Sequence, residues 1–254
     1  MRFNSLIAAL VLSTTVFGVG CATSDTDDTS DADSNATAAG KFDMWQSNDG
    51  WHFHLTAGNG ATLLTSEAYT SRTGAINGIL SVENNGIENA QYQVVQGNSG
   101  GYLIHLVAGN NEIISFSQVY SSKSNATRAV TSCVKAVTTY LDKAANTTGA
   151  RAQIDAGASN QFRFNIFASN GQIVLSSESY TTEAAAWNGA FAVQDASLAP
   201  ANFAILTASD GRFYFTLTAA NGQVVGISQM YTTQLSAQAG IKSVTSTLAK
   251  LDIL

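Results

Sequence analysis

The chain has 254 residues, of which 45% are apolar and 12% charged, with 21 glycines, one proline and a formal net charge of −6. That composition describes globular material and excludes a disordered chain. The charge is local: Asp25, Asp27, Asp28, Asp31 and Asp33 fall in one short run, while residues 41–254 hold 13 acidic against 11 basic side chains with no Lys/Arg cluster, which excludes a nucleic-acid footprint.

In chain order the first element is a targeting segment over 1–20. Arg2 supplies a short positive region, Leu6 to Val19 an apolar stretch, and small residues end at Gly20 before Cys21. It is too short to span a bilayer comfortably. The cysteine directly after the apolar region, followed by the polar run CATSDTDDTSDADSNATAAG, resembles a bacterial lipoprotein signal. That reading makes Cys21 a lipidated N-terminus, residues 21–40 an acidic Ser/Thr/Asp-rich tether, and the membrane a partner through the lipid anchor. Gly18 stands where a lipobox usually has Leu, and Gly18 with Gly20 also suits an ordinary signal peptidase, so plain secretion to a soluble periplasmic or extracellular form is the alternative. Ala22 is not the Asp that retains many lipoproteins in an inner membrane, which points to the outer membrane where the source has one. With Cys21 so used, Cys133 is a lone thiol at the buried phase of a predicted helix. No His or basic residue is placed on the same helix face to activate it.

From residue 41 onward one pattern returns four times. A tyrosine followed by two hydroxyl residues stands at Tyr69, Tyr120, Tyr180 and Tyr231, with spacings of 51, 60 and 51 residues. A period near 50 marks one supersecondary unit repeated. Each copy opens with a predicted hairpin, as in FDMWQS-Asn48-Asp49-Gly50-WHFHLTA. Its second strand alternates apolar and polar: Trp51, Phe53, Leu55; Tyr102, Ile104, Leu106; Phe162, Phe164, Ile166; Phe213, Phe215, Leu217. The intervening positions hold His52 and His54, Leu103 and His105, Arg163 and Asn165, Tyr214 and Thr216, the pattern of an antiparallel sheet covered on one side. An Asn/Gly turn and a third strand follow, and then the hydroxyls after each tyrosine (Thr70-Ser71, Ser121-Ser122, Thr181-Thr182, Thr232-Thr233) open a helix. The helices carry one apolar stripe each: Ala75, Gly78, Ile79, Val82; Ala126, Ala129, Val130, Cys133; Ala186, Gly189, Ala190, Val193; Ala237, Gly240, Ile241, Val244.

The fold class is therefore α+β, four β-β-β-α repeats in two pseudo-symmetric domains, each an antiparallel sheet with helices on one face. A lone three-stranded sheet with one helix has exposed edges and half a core, so the copies are expected to pair. The expected divisions are a first domain over 41–142 (repeats 41–90 and 91–142), a connection over 143–151 and a second domain over 152–250 (repeats 152–200 and 201–250).

The segments TAGNGATLLTSEAYTSRTGAINGILSV (56–82), FASNGQIVLSSESYTTEAAAWNGAFAV (from Phe167) and TAANGQVVGISQMYTTQLSAQAGIKSV (218–244) resemble the YegP-like family of small proteins with a DUF1508 domain. The second copy departs from them at Asn111 and Gln118, and the fourth at Gln229. The resemblance covers residues 41 to about 248. It implies two units in one sheet with helices on one face, with or without exchange of terminal strands, and it implies no activity, cofactor or catalytic residue.

Candidate chemistry is sparse. Gly97-Asn98-Ser99-Gly100-Gly101 matches a G-x-S-x-G string, but a strand follows it where a nucleophile elbow needs a helix, so it reads as a turn. His52, His54 and His105 share the polar strand face; a metal site would need all three to converge, and Asn165 and Thr216 occupy the place of His54 and His105 in the other copies, which favours solvated histidines without metal. Trp187 and Phe191 lie beside the third helix stripe, where two other copies carry polar residues, and are expected to contact the other domain or a partner. The expected function is an exported, lipid-anchored, non-catalytic envelope binding or structural module without cofactor or catalytic residue, monomeric or weakly self-associating. The alternatives are an envelope hydrolase on the polar face and a self-associating polymer-binding protein.

Overall fold

The computed structural model describes residues 39–253; the targeting segment, Cys21 and nearly all of the tether lie outside the described residues. The four copies are β1 (Lys41–Ser47), β2 (Gly50–Thr56), β3 (Thr62–Ser66), α1 (Arg72–Asn85); β4 (Tyr92–Gln96), β5 (Tyr102–Val107), β6 (Ile113–Phe116), α2 (Lys123–Asn146); β7 (Arg151–Ala156), β8 (Phe162–Phe167), β9 (Ile173–Ser176), α3 (Glu183–Ser197); and β10 (Phe203–Thr207), β11 (Phe213–Thr218), β12 (Val224–Ile227), α4 (Gln234–Leu248). The strands form two antiparallel sheets, ordered β1-β2-β3-β6-β5-β4 and β10-β11-β12-β9-β8-β7. Each first strand pairs with the second strand of its own copy, so no terminal strand is exchanged.

Copies join through their third strands, by the pairs Thr65↔Phe116 and Ser66↔Ser115 in one sheet and Ile227↔Ser176 in the other. The seam is asymmetric in size. On the helix side the odd copies place Leu64 and Leu175, while the even copies place Ser115 and Gly226; on the open side the order inverts to Thr65 and Ser176 against Phe116 and Ile227. At Gly226 a Cβ atom would stand 2.4 Å from Cδ2 and 2.7 Å from Cγ of Leu175, so the leucine of one copy fills the space that the other leaves empty. Ser115 accepts a cost for its smallness: its buried Oγ has no hydrogen-bond partner among the described residues.

Two local devices turn each third strand into its helix. The tyrosine backbone returns to the second strand as an isolated bridge, Trp51↔Tyr69, Tyr102↔Tyr120, Phe162↔Tyr180 and Phe213↔Tyr231. In three copies its ring stacks on the strand phenylalanine (Phe53–Tyr69, Phe164–Tyr180 and Phe215–Tyr231, centroids 6.1–6.2 Å apart). Its hydroxyl lies over a helix glycine, Gly78, Gly189 or Gly240, where a Cβ would come within 2.4 Å or less of that oxygen. The hydroxyl itself has no hydrogen-bond partner among the described residues, contrary to the usual habit of a half-buried tyrosine. The second device is the serine closing each third strand. Oγ of Ser66, Ser117, Ser177 and Ser228 accepts from the amide of Phe53, Ile104, Phe164 and Phe215, each at 2.9 Å, and donates to the next residue's carbonyl. The second hydroxyl of each pair then caps its helix: Ser71, Ser122, Thr182 and Thr233 accept from the amide three residues on.

The stripes pack as the periodicity requires, with Phe53, Leu55, Ile79, Val82, Ile104, Cys133 and Val137 buried in the first core and Phe164, Ile166, Val193, Phe215, Leu217 and Val244 in the second. Elements run beyond the expected divisions. α2 continues to Asn146, through the start of the expected connection, β7 begins at Arg151, and Leu251 and Ile253 join the second core.

A second face on α1 and α3 joins the two domains. The helices run antiparallel: Arg72 at the start of α1 pairs with Asp195 near the end of α3 at 3.0 Å and lies over the rings of Trp51 and Phe191, while Ile76 and Ala184 are almost fully buried between them. Lys41 reaches Asp252 at 3.4 Å across the same boundary. At the other end Glu83 is largely buried without a hydrogen-bond partner among the described residues, within electrostatic reach of Glu183 of α3 and Tyr140 of α2. Burial first, and the Glu183 charge second, push its carboxyl from 4.5 up to about 7.

Two outcomes follow. Gly226→Ala is expected to destabilise the second domain by about 1–3 kcal/mol through overpacking, and Leu175→Ala in the same chain to return part of that loss, as read in urea unfolding of the single and double variants. Glu83 keeps its proton in the folded chain up to about pH 7 but loses it near 4.5 when unfolded, so its contribution to stability falls as pH rises between those values. Glu83→Gln is expected to gain on the natural chain between pH 5 and pH 8 by up to about 3 kcal/mol. A gap independent of pH would show Glu83 to be solvated.

Candidate functional site

With the helices covering one side of each sheet, the other side is left to the outward residues of the strands. On the first sheet one row runs Asp43, His54, Thr65, Phe116, His105, Gln93, and beside it lie Trp45 opposite His52 and Val95 opposite Leu103. The same row on the second sheet reads Ala204, Thr216, Ile227, Ser176, Asn165, Gln153, flanked by Leu206 opposite Tyr214 and Asp155 opposite Arg163.

The three histidines do not converge. His54 and His105 stand in one row with β3 and β6 between them, about 14 Å apart at the ordinary strand spacing. Among the described residues no group of three or more His, Cys, Asp and Glu side chains is placed to hold a metal ion. His105 is pushed below the usual imidazole range by burial, partly offset by the charge of Glu67.

His52 and His54 instead build a cluster with side chains from β1. The His52 ring stacks on Trp45 at 5.5 Å between centroids with 17° between planes, and the His54 ring meets the same indole at 5.0 Å and 49°. Each imidazole is held by a carboxylate: Nε2 of His52 is 3.0 Å from Oδ1 of Asp49, and Nε2 of His54 is 3.4 Å from Oδ2 of Asp43. Hydrogen bonds from Ser47 and then His52 bring Asp49 down to about 2, and Lys41, 2.8 Å away, lowers Asp43. Both acids stay ionised at neutral pH. Trp45 is 38% exposed on an edge strand, so no strand lies on its far side. Sequence reading singled out the histidines and missed Trp45, Asp43 and Asp49. The available signal was the alternation in β1, which puts Asp43 and Trp45 opposite in phase to the buried Phe42.

The second sheet differs. Gln153 and Asn165 both donate to Asp155, Ser176 donates to Asn165, and Arg163 donates to Ser179, a polar ladder over β7, β8 and β9. A shallow groove at its seam is lined by Phe167, Ile173, Ser176, Ile227, Ser228 and Gln229, without an ionisable group. The remaining sequence candidates are structural. Gly97–Gly101 closes the β4–β5 turn by paired backbone hydrogen bonds, and Phe191 faces the first domain through Arg72.

The profile described as "Domain of unknown function (DUF1508)" matches residues 46–93, 98–140, 158–202 and 208–253. The chain belongs to the DUF1508 family. Curated relatives are shorter: UPF0339 protein YegP of Shigella flexneri is 45% identical over 92 residues, 36% of this chain and 84% of that protein. UPF0339 protein PA0329 of Pseudomonas aeruginosa is 45% identical over 84 residues, 33% of this chain and 76% of that protein. Among solved structures, the solution structure of yegP from E. coli is 37% identical, covering 42% of this chain and 92% of that chain, with a TM-score of 0.39. The DUF1508 matches start within or after each copy's first strand, so Asp43 and Trp45 lie just ahead of the first matched segment.

Cys133 is fully buried on α2, and burial pushes its thiol up to about 12. It is therefore expected to resist a thiol reagent at pH 8 in the folded chain and to react stoichiometrically once unfolded. Rapid labelling of folded Cys21→Ser protein, in which Cys133 is the sole thiol, would contradict this placement.

Proposed function

We propose that the chain is an exported, lipid-anchored envelope protein whose two DUF1508 domains act as a non-catalytic binding module through their open sheet faces. One observation carries the binding reading. The residues that build the copies repeat, as with the tyrosine bridge, the closing serine and the capping hydroxyl, whereas those on the open face differ from copy to copy. The position of Trp45 becomes Val95, Asp155 and Leu206; that of His52 becomes Leu103, Arg163 and Tyr214. A scaffold kept constant beneath a face that varies is the arrangement of a recognition surface. None of Trp45, His52 or His54 packs into the core.

Export and anchoring rest on Arg2, the apolar run Leu6 to Val19 and Cys21. Under this reading the membrane is a partner through the lipid on Cys21, nucleic acid is not a partner, and the chain works as a monomer or weak homo-oligomer. No helix among the described residues is long and apolar enough to cross a membrane.

Mass spectrometry of the mature protein is expected to show an acylated Cys21 as its first residue and Cys21→Ser to release the chain from the membrane fraction; an unmodified N-terminus would favour plain secretion. The released Cys21→Ser chain is expected to co-sediment with delipidated cell-wall fragments. Failure to do so in folded form would remove the envelope-binding reading.

A further inference from the structure

Resting on the binding-module reading, we infer that Trp45, His52, His54, Asp43 and Asp49 form a subsite for one ring of a neutral oligosaccharide. The indole supplies an apolar plane at the sheet edge, where the two imidazoles cover only the side facing β2. An aromatic plane of this kind accepts the C–H face of a pyranose ring through dispersion and weak C–H contacts. Around it stand the polar groups that ring hydroxyls require. Nε2 of each histidine faces its carboxylate, and where Nε2–H donates to it Nδ1 is left as an acceptor. The carboxylates of Asp43 and Asp49 have lone pairs beyond those used by the histidines, Lys41 and Ser47, and a hydroxyl donating to an ionised carboxylate makes a charge-assisted bond.

Charge decides against other ligand classes. The cluster sets the carboxylates of Asp43 and Asp49 beside Lys41, and Lys41 is shared with Asp252. A phosphate or carboxylate ligand would meet repulsion. A quaternary ammonium would satisfy the charge, but such groups are enclosed by several aromatic walls, and here one indole stands on an open sheet. The equivalent outward positions explain why the subsite occurs once: Val95 with Leu103, Asp155 with Arg163 and Leu206 with Tyr214 combine no indole with an acid-held imidazole.

The test is calorimetric titration of the purified full chain with cellotetraose, chitotetraose and maltotetraose, and with tetramethylammonium as the cationic probe. At least one oligosaccharide is expected to bind saturably, Trp45→Ala to weaken it about tenfold or more, Trp45→Phe to keep most of the affinity, and Leu235→Ala, exposed on α4 away from the open sheet faces, to leave it unchanged. Binding of none of the three sugars up to about 10 mM overturns the inference. So does equal binding by Trp45→Ala, or binding of tetramethylammonium alone. Co-sedimentation with cell-wall fragments that survives any of those outcomes leaves the binding module in place and removes only this subsite.

Discussion

Everything in the architecture depends on the meeting of third strands between neighbouring copies. A single β-β-β-α unit covers three strands with one helix and leaves the outer edge of its third strand unpaired. Joining β3 to β6, and β12 to β9, removes that edge and completes each core. The join is built for unlike partners. Leu175 occupies the space above Gly226, and in the first sheet Leu64 and Ser115 hold the corresponding strand positions. Two odd copies would bring leucine toward leucine, and two even copies would leave a void. Side-chain size at one position thus selects which copies marry, at the cost of an unpaired Ser115 hydroxyl in the first sheet.

Within a copy the chain must leave the sheet and start a helix in very few residues. The closing serine satisfies the strand amide left over when the third strand turns away, and the tyrosine returns to bridge the second strand before the capping hydroxyl begins the helix. The second copy tells which part is essential. It has Ile104 where the others have phenylalanine and Ala129 where they have glycine, so its Tyr120 lacks the ring stack, yet the Tyr102↔Tyr120 bridge, the Ser117 contacts and the Ser122 cap are all present. Backbone pairing and hydroxyl chemistry define the junction; the ring stack and the helix glycine are one packing solution on top of it.

Strands, turns, helix starts and the apolar stripes were legible because each is decided by neighbours in sequence: alternation of period two, an Asn or Gly at a turn, a hydroxyl three residues before a free amide. The pairing of copies was legible from edge and core physics. What escaped depends on residues distant in the chain. The second face of α1 and α3 is a mixture of Arg72, Ile76 and Glu83 with Ala184, Phe191 and Asp195, and only the fold shows that these meet. Phe191 and Trp187 stood out beside the sheet stripe, but Arg72, the residue that Phe191 meets, carried no local mark. The helix after Lys143 continued because Lys-Ala-Ala-Asn is compatible with helix, although the longer spacing between pairs suggested a connection. On the open face the histidines were visible and their partners were not, since Asp43 and Trp45 are brought to them by the β1–β2 register.

The entry of the chain into the first domain and the open face meet on one strand. Gly40, the residue before β1, gives its amide to Thr139 Oγ1 on α2, and a Cβ there would lie 2.4 Å from the carbonyl oxygen of Ala136, so the chain is held closely against α2 where it enters the domain. Lys41 then ties to Asp252 of the second domain, and Phe42 packs edge-on against Tyr140. An edge strand is ordinarily the weakest part of a sheet, but β1 is fastened at its start by a glycine contact, an ion pair and an aromatic pair, which lets it carry Trp45 at a fixed height beside His52 and His54.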